Sequence, residues 1–144
     1  MKNLYEKDFY QWTQQTVQMI KDKQYNLVDW DNLIEEIETL GRSEKRAVKS
    51  HLVILLMHLL KWQYQPEHRS NSWKASIRNA RTELSDLLQD NPSLAGDFLV
   101  EVLPLVYTRA SEQAAEETTI FLQHFPIECP YSLSQILDFE FLPS

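Results

Sequence analysis

Glycine is almost missing from this chain: Gly41 and Gly96 are the only two in 144 residues. Few positions can take positive φ cheaply, which argues against a hairpin-rich β fold with its primed turns. Cysteine occurs once, at Cys129, so an internal disulfide and a cysteine-built zinc cluster are both excluded. No apolar run approaches the roughly 20 residues of a membrane helix. The longest, Leu52 to Leu60, covers nine residues and is interrupted by His58. The first residues, Met1 to Asp8, lack the apolar core of a secretion signal. There is no Gly-x-Ser-x-Gly elbow, and two glycines 55 positions apart build no phosphate loop. These absences predict a soluble, cytoplasmic, reduced protein away from membranes. They point to no cofactor and favour binding over catalysis.

What is present is a split in charge. Residues 42 to 81 hold nine Lys/Arg against two acids, Glu44 and Glu67, a formal +7. The remaining residues hold five Lys/Arg and nineteen Asp/Glu, a formal −14, which gives the overall −7. Apolar residues make up 43% of the chain, enough for a real core in one domain of this size.

Periodicity predicts helices throughout, with no segment alternating convincingly enough for a sheet. Phe9, Trp12, Thr16 and Ile20 share one face of a first helix, about Asp8 to Lys23. Asp29 is a candidate N-cap for a second, with Trp30, Leu33, Ile34, Ile37 and Leu40 as its apolar stripe and Gly41 as its left-handed stop. Ser43 can cap a third helix to about Tyr64, apolar nearly all round and so expected at the centre of a bundle. Asn71 or Ser72 starts a fourth, where Trp73, Ile77, Ala80, Leu84 and Leu87 form the cleanest stripe in the chain. Asn91-Pro92 reads as N-cap and first-turn proline of a fifth. Pro104 should kink or split the helical segment around it. Tyr107, Ala110, Ala114 and Phe121 then line a sixth helical face, ended by Pro126. Ser132-Leu133-Ser134-Gln135 is a capping-box pattern for a short last helix, about Leu133 to Asp138. The expectation is an all-α, single-domain bundle over residues 1–144. It has five to six helices, a hydrophobic central one and a short C-terminal one.

Several stretches carry a family likeness. They are Leu27-Val28-Asp29-Trp30-Asp31-Asn32-Leu33-Ile34-Glu35-Glu36-Ile37-Glu38-Thr39-Leu40-Gly41 and His58-Leu59-Leu60-Lys61-Trp62-Gln63-Tyr64-Gln65-Pro66, then Ser72-Trp73 and Ile77-Arg78. Pro92-Ser93-Leu94, Tyr107 with Ala110, Phe125-Pro126 and Cys129-Pro130 continue it in order. Together they resemble the bacterial domain-of-unknown-function family number twenty-nine, abundant in cyanobacteria, from Tyr5 to Pro143. The resemblance implies a compact helical domain that is usually the whole protein. It implies no established activity, substrate or cofactor, and no functional residues to carry over. Ala75-Ser76-Ile77 departs from the family pattern, with a serine where a threonine is usual.

Three constellations could carry function. Asp31, Glu35 and Glu38 fall on one helical line at i, i+4, i+7, and Glu35 and Glu38 with His58 are the candidate metal ligands of a hydrolase or nuclease. The Glu-x-x-His spacing of di-iron bundles is absent, so a solvated or ion-paired face is the plainer reading. The cationic rows Lys45, Arg46, Lys49 and Lys74, Arg78, Arg81 could grip the phosphates of a nucleic acid. The net −7 opposes a polyanion, so pairing within the chain is the plainer reading there. Trp12, Trp30, Trp62 and Trp73 suit either core or interface. The leading expectation is a protein-interaction module without catalysis. Its contact surface is expected at Lys61, Trp62, His68, Arg69, Trp73, Lys74, Arg78 and Arg81. Nucleic-acid binding through the basic face comes after it.

Overall fold

The computed structural model describes residues 3–144. The chain is 77% helical, with no strand among the described residues. Its helices are α1 (Leu4–Lys7), α2 (Phe9–Lys21), α3 (Trp30–Tyr64), α4 (Asn71–Asp90), α5 (Asp97–Glu117) and α6 (Leu133–Leu137). The all-α bundle expected from periodicity is what the chain forms. Its packing divides between Ser43 and Glu44 into two compact units, and that boundary falls inside α3.

In the first unit, side chains set the helix starts. The Asn3 side-chain oxygen accepts from the Glu6 N–H and opens α1; Asp8 accepts from Gln11 N–H at 3.0 Å and opens α2. At the end of α2, Gln24 N–H bonds the Met19 carbonyl and Lys23 N–H bonds that of Ile20. This pairing is a Schellman stop, and it holds Lys23 at φ 61°, a left-handed conformation usually left to glycine. Trp12, Thr16 and Val28 are buried. Tyr5, Phe9 and Trp12 pack around one another with ring centroids 4.8–5.8 Å apart. The Trp30 indole N–H donates to the Tyr25 carbonyl at 2.9 Å, and Asp29 caps α3 as expected.

Gly41 does not stop that helix. The expected second and third helices are one helix of 35 residues, and Gly41 and Ser43 both lie within it. Gly41 has no positive φ. A glycine inside a helix costs about 1 kcal/mol relative to alanine, which a long, well-packed helix absorbs. The turn around Gly41 is also bridged, by Arg42 to Thr39 at 3.0 Å and to Glu38 at 3.8 Å.

In the second unit the apolar run does become the core. Val48, Leu52, Leu55, Leu56, Leu59 and Leu60 are fully buried. Ile77, Ala80 and Leu84 of α4 and Leu99, Val106, Tyr107, Ala110 and Ala114 of α5 close around them, with Ile136 of α6. Ser70, one residue before the expected cap, accepts from Trp73 N–H and starts α4. The α6 capping box forms as read, with Ser132 and Gln135 bonding reciprocally at 3.0 and 3.1 Å.

Three expectations fail in this unit. Asn91-Pro92 does not start α5; it leads into a single 3₁₀ turn, and α5 begins at Asp97. The Asn91 amide instead donates to Glu44 Oε2 at 3.0 Å and to the Leu87 carbonyl at 2.9 Å. Pro104 does not split α5. The carbonyl that loses its donor belongs to Val100, an exposed residue, so water can satisfy it. Phe121 joins no helical face, because α5 ends at Glu117, nine residues before Pro126. There the Thr118 hydroxyl captures the Ile120 N–H at 3.1 Å, offering the backbone an alternative to the helix. Phe121 is left exposed.

Candidate functional site

Most of the expected contact surface gathers where α3 ends and α4 begins. Trp62 lies buried, with the Arg69 guanidinium 5.0 Å and the Lys74 ammonium 5.7 Å from its ring centre. Arg69 Nε also donates to the Trp62 carbonyl at 2.8 Å, which fixes the loop against the last turn of α3. Lys61 Nζ sits 4.9 Å from the ring centre of Trp73 and 3.2 Å from Glu117 Oε1. Cations over indole rings are worth about 0.5–2 kcal/mol each, more when desolvated. This cluster ties α3, α4 and the end of α5 together.

Lys61, Trp62 and Arg81 therefore need correcting, because all three are buried. Arg81 is the sharpest case, at 2% exposed. It donates from Nε to the Ile136 carbonyl at 2.8 Å, and through its terminal nitrogens to Phe141 at 2.8 Å and Gln135 at 3.3 Å. Three carbonyls at the end of α6 and in the tail beyond it thus share one guanidinium. Burial pulls its pKa down, and nearby Asp138 partly opposes that. Arg69 and Trp73 are half-buried; His68, Lys74 and Arg78 remain exposed. The one ion pair His68 makes, with Glu67 at 3.8 Å, is open to solvent and adds little.

The acidic row stays in the first unit. Glu35 and Glu38 are exposed, and Glu36 accepts the Tyr5 hydroxyl proton in a hydrogen bond. That bond, with burial and the neighbouring carboxylates adding to it, pushes the Tyr5 pKa up to about 12. His58 is half-buried in the second unit, its Nδ1 2.9 Å from the Ile54 carbonyl of its own helix. Glu35, Glu38 and His58 do not assemble: among the described residues no three His, Cys, Asp or Glu side chains converge as metal ligands would.

Two features escape a reading of the sequence. The first is how much apolar surface the first unit leaves open. Phe9, Tyr10, Val17, Tyr25, Leu27, Trp30, Ile34, Ile37 and Leu40 are all exposed, Ile37 by 59% and Leu40 by 67%. The stripe on α3 is visible in the sequence, but a stripe does not say whether anything packs on it. The second is a groove between α3 and α5, about 530 Å³ in volume, where Arg109 joins Arg46 and Lys49. Arg109 lies 60 positions beyond Lys49, with no local signal linking them.

Cys129 is half-buried, its thiol 3.4 Å from the Tyr131 carbonyl, and burial pushes its pKa up. It is a protonated, unreactive thiol, not a nucleophile. No described helix is long and apolar enough to cross a membrane.

Comparison with curated proteins and with solved structures returned no match. The family model described as Domain of unknown function DUF29 matches residues 4–142, nearly the whole chain and every helix described above. The chain belongs to that family.

Proposed function

We propose that this protein is a non-catalytic, cytoplasmic interaction module whose first unit binds a basic amphipathic helix of a partner protein. The observation that carries this reading is the imbalance in that unit. Nine large apolar side chains are exposed, while the buried apolar residues among those described there are Trp12 and Val28. Units near 40 residues rarely stabilise themselves without metal, disulfides or association. Contiguous exposed apolar surface on a folded chain marks a contact site. Trp30, Ile34, Ile37 and Leu40 recur along α3 at helical spacing, the pattern by which one helix seats against another. Asp31, Glu35 and Glu38 run beside that stripe, and cations on the partner's flank would relieve their mutual repulsion.

A photo-crosslinking residue at Ile37, compared with one at Glu83 of α4, tests this in cells. The expected adduct at Ile37 maps to a Lys/Arg-rich amphipathic segment of another protein and disappears in Ile34→Lys. Equal adducts at both positions, adducts to a second copy of this chain alone, or none, would reject the reading.

A further inference from the structure

We infer that the groove between α3 and α5 is a binding site for a compact organic anion carrying two or more negative charges and an apolar body. Arg46, Lys49 and Arg109 converge on one cavity, and no carboxylate lines it. None of the three takes part in an ion pair among the described residues. In a chain with 21 acids and 14 bases, three cations left together without a counter-charge are unexpected. Like charges held close repel, and folding gains nothing from the arrangement. An anion seated among them removes that repulsion and gains charge-assisted hydrogen bonds.

The rest of the lining narrows the ligand. Ser50 and Gln113 offer uncharged donors and acceptors beside the cations. Val53, which is buried, and Ile54 supply an apolar wall. The volume of about 530 Å³ lies within the range of small-molecule sites. No aromatic side chain lines the groove, so it lacks the stacking platform that single-stranded nucleic acids use. The net charge of −7 also repels a long polyanion, whereas a small anion meets mainly the local field. The other cationic cavity, around Lys74, Arg78 and Arg81, does not compete. Glu140 lines it, and Arg81 is committed to backbone carbonyls.

Phosphate and carboxylate groups would both suit this site, so the test carries an arm for each. Inorganic pyrophosphate, citrate and a short oligothymidylate are titrated calorimetrically into the full chain. Pyrophosphate or citrate should bind saturably, and whichever binds more tightly identifies the anion class. Arg109→Gln and Lys49→Gln should each weaken that binding about tenfold or more, the loss expected for one charge-assisted hydrogen bond. Lys7→Gln, a charge removed from α1, should leave it unchanged. Arg46→Gln and Arg109→Gln should melt no lower than the parent without ligand, because they relieve repulsion between exposed groups. The inference is overturned by no binding of either small anion at millimolar concentration, or by equal weakening in Lys7→Gln. Tighter binding of the oligothymidylate, or a lowered melting temperature in the glutamine variants, would overturn it as well.

Discussion

Arg81 Nε lies 2.8 Å from the carbonyl oxygen of Ile136, so a buried cation on α4 holds the last helix of the chain in place. The same guanidinium serves Phe141 and Gln135. A buried charge is tolerable only where its donors are met, and here backbone oxygens meet them. Arg81→Ala should cost about 3–5 kcal/mol, because buried carbonyls lose their donors together and a cavity is left. Arg81→Lys should recover little, since an ammonium cannot span acceptors arranged for a planar fork. Urea denaturation of the two variants measures this, and a loss below about 1 kcal/mol for Arg81→Ala would contradict it.

Gly41 offers the opposite test. A β-carbon added there meets nothing within 4 Å, and the backbone is helical. Gly41→Ala should therefore stabilise the protein by about 0.5–1 kcal/mol. Were Gly41 a left-handed stop, as its sequence context suggests, the same change would destabilise. The sign of the shift in denaturation midpoint separates the two.

The tryptophans at the α3–α4 junction should differ. Trp62 is 8% exposed and sits between two cations, so Trp62→Ala should cost about 3–5 kcal/mol. Trp73, half-buried on the stripe of α4, should cost less, about 1–2 kcal/mol. Equal denaturation midpoints for the two variants would overturn that ranking.

Alkaline pH should loosen the second unit. The Tyr107 hydroxyl donates to the Pro126 carbonyl at 2.6 Å and that of Tyr131 to Gln63 Oε1 at 2.7 Å. Burial is the first cause pushing both pKa values up from the ordinary 10.0. The folded chain therefore holds these protons more tightly than the unfolded chain. Their contribution is fully present below pH 10 and declines as the pH rises above it, by up to about 1.4 kcal/mol per pH unit for each tyrosine. Denaturation between pH 8 and pH 11 reads this out, and Tyr131→Phe should flatten the slope.

The parts of the fold that are legible in the sequence rest on local rules. Ile77, Ala80 and Leu84 recur at helical spacing, and the Ser132–Gln135 box sits within four residues. Gly41 misleads because a glycine that ends a helix and one that merely lies in it look alike in sequence; the difference is a φ angle set by what packs on either side. Arg81 looks like surface because its acceptors come more than fifty residues later. Arg109 escapes notice for the same reason. Charged side chains beside an apolar stripe can be located from periodicity, but their partners cannot.

The four indole rings are shared evenly, Trp12 and Trp30 in the first unit and Trp62 and Trp73 in the second. Each unit thus carries its own built-in fluorophores. Selective replacement of either pair by phenylalanine would leave an emission signal that reports on one unit alone. Whether the two melt in one cooperative step or in sequence then becomes a question for a fluorimeter, with no external dye required.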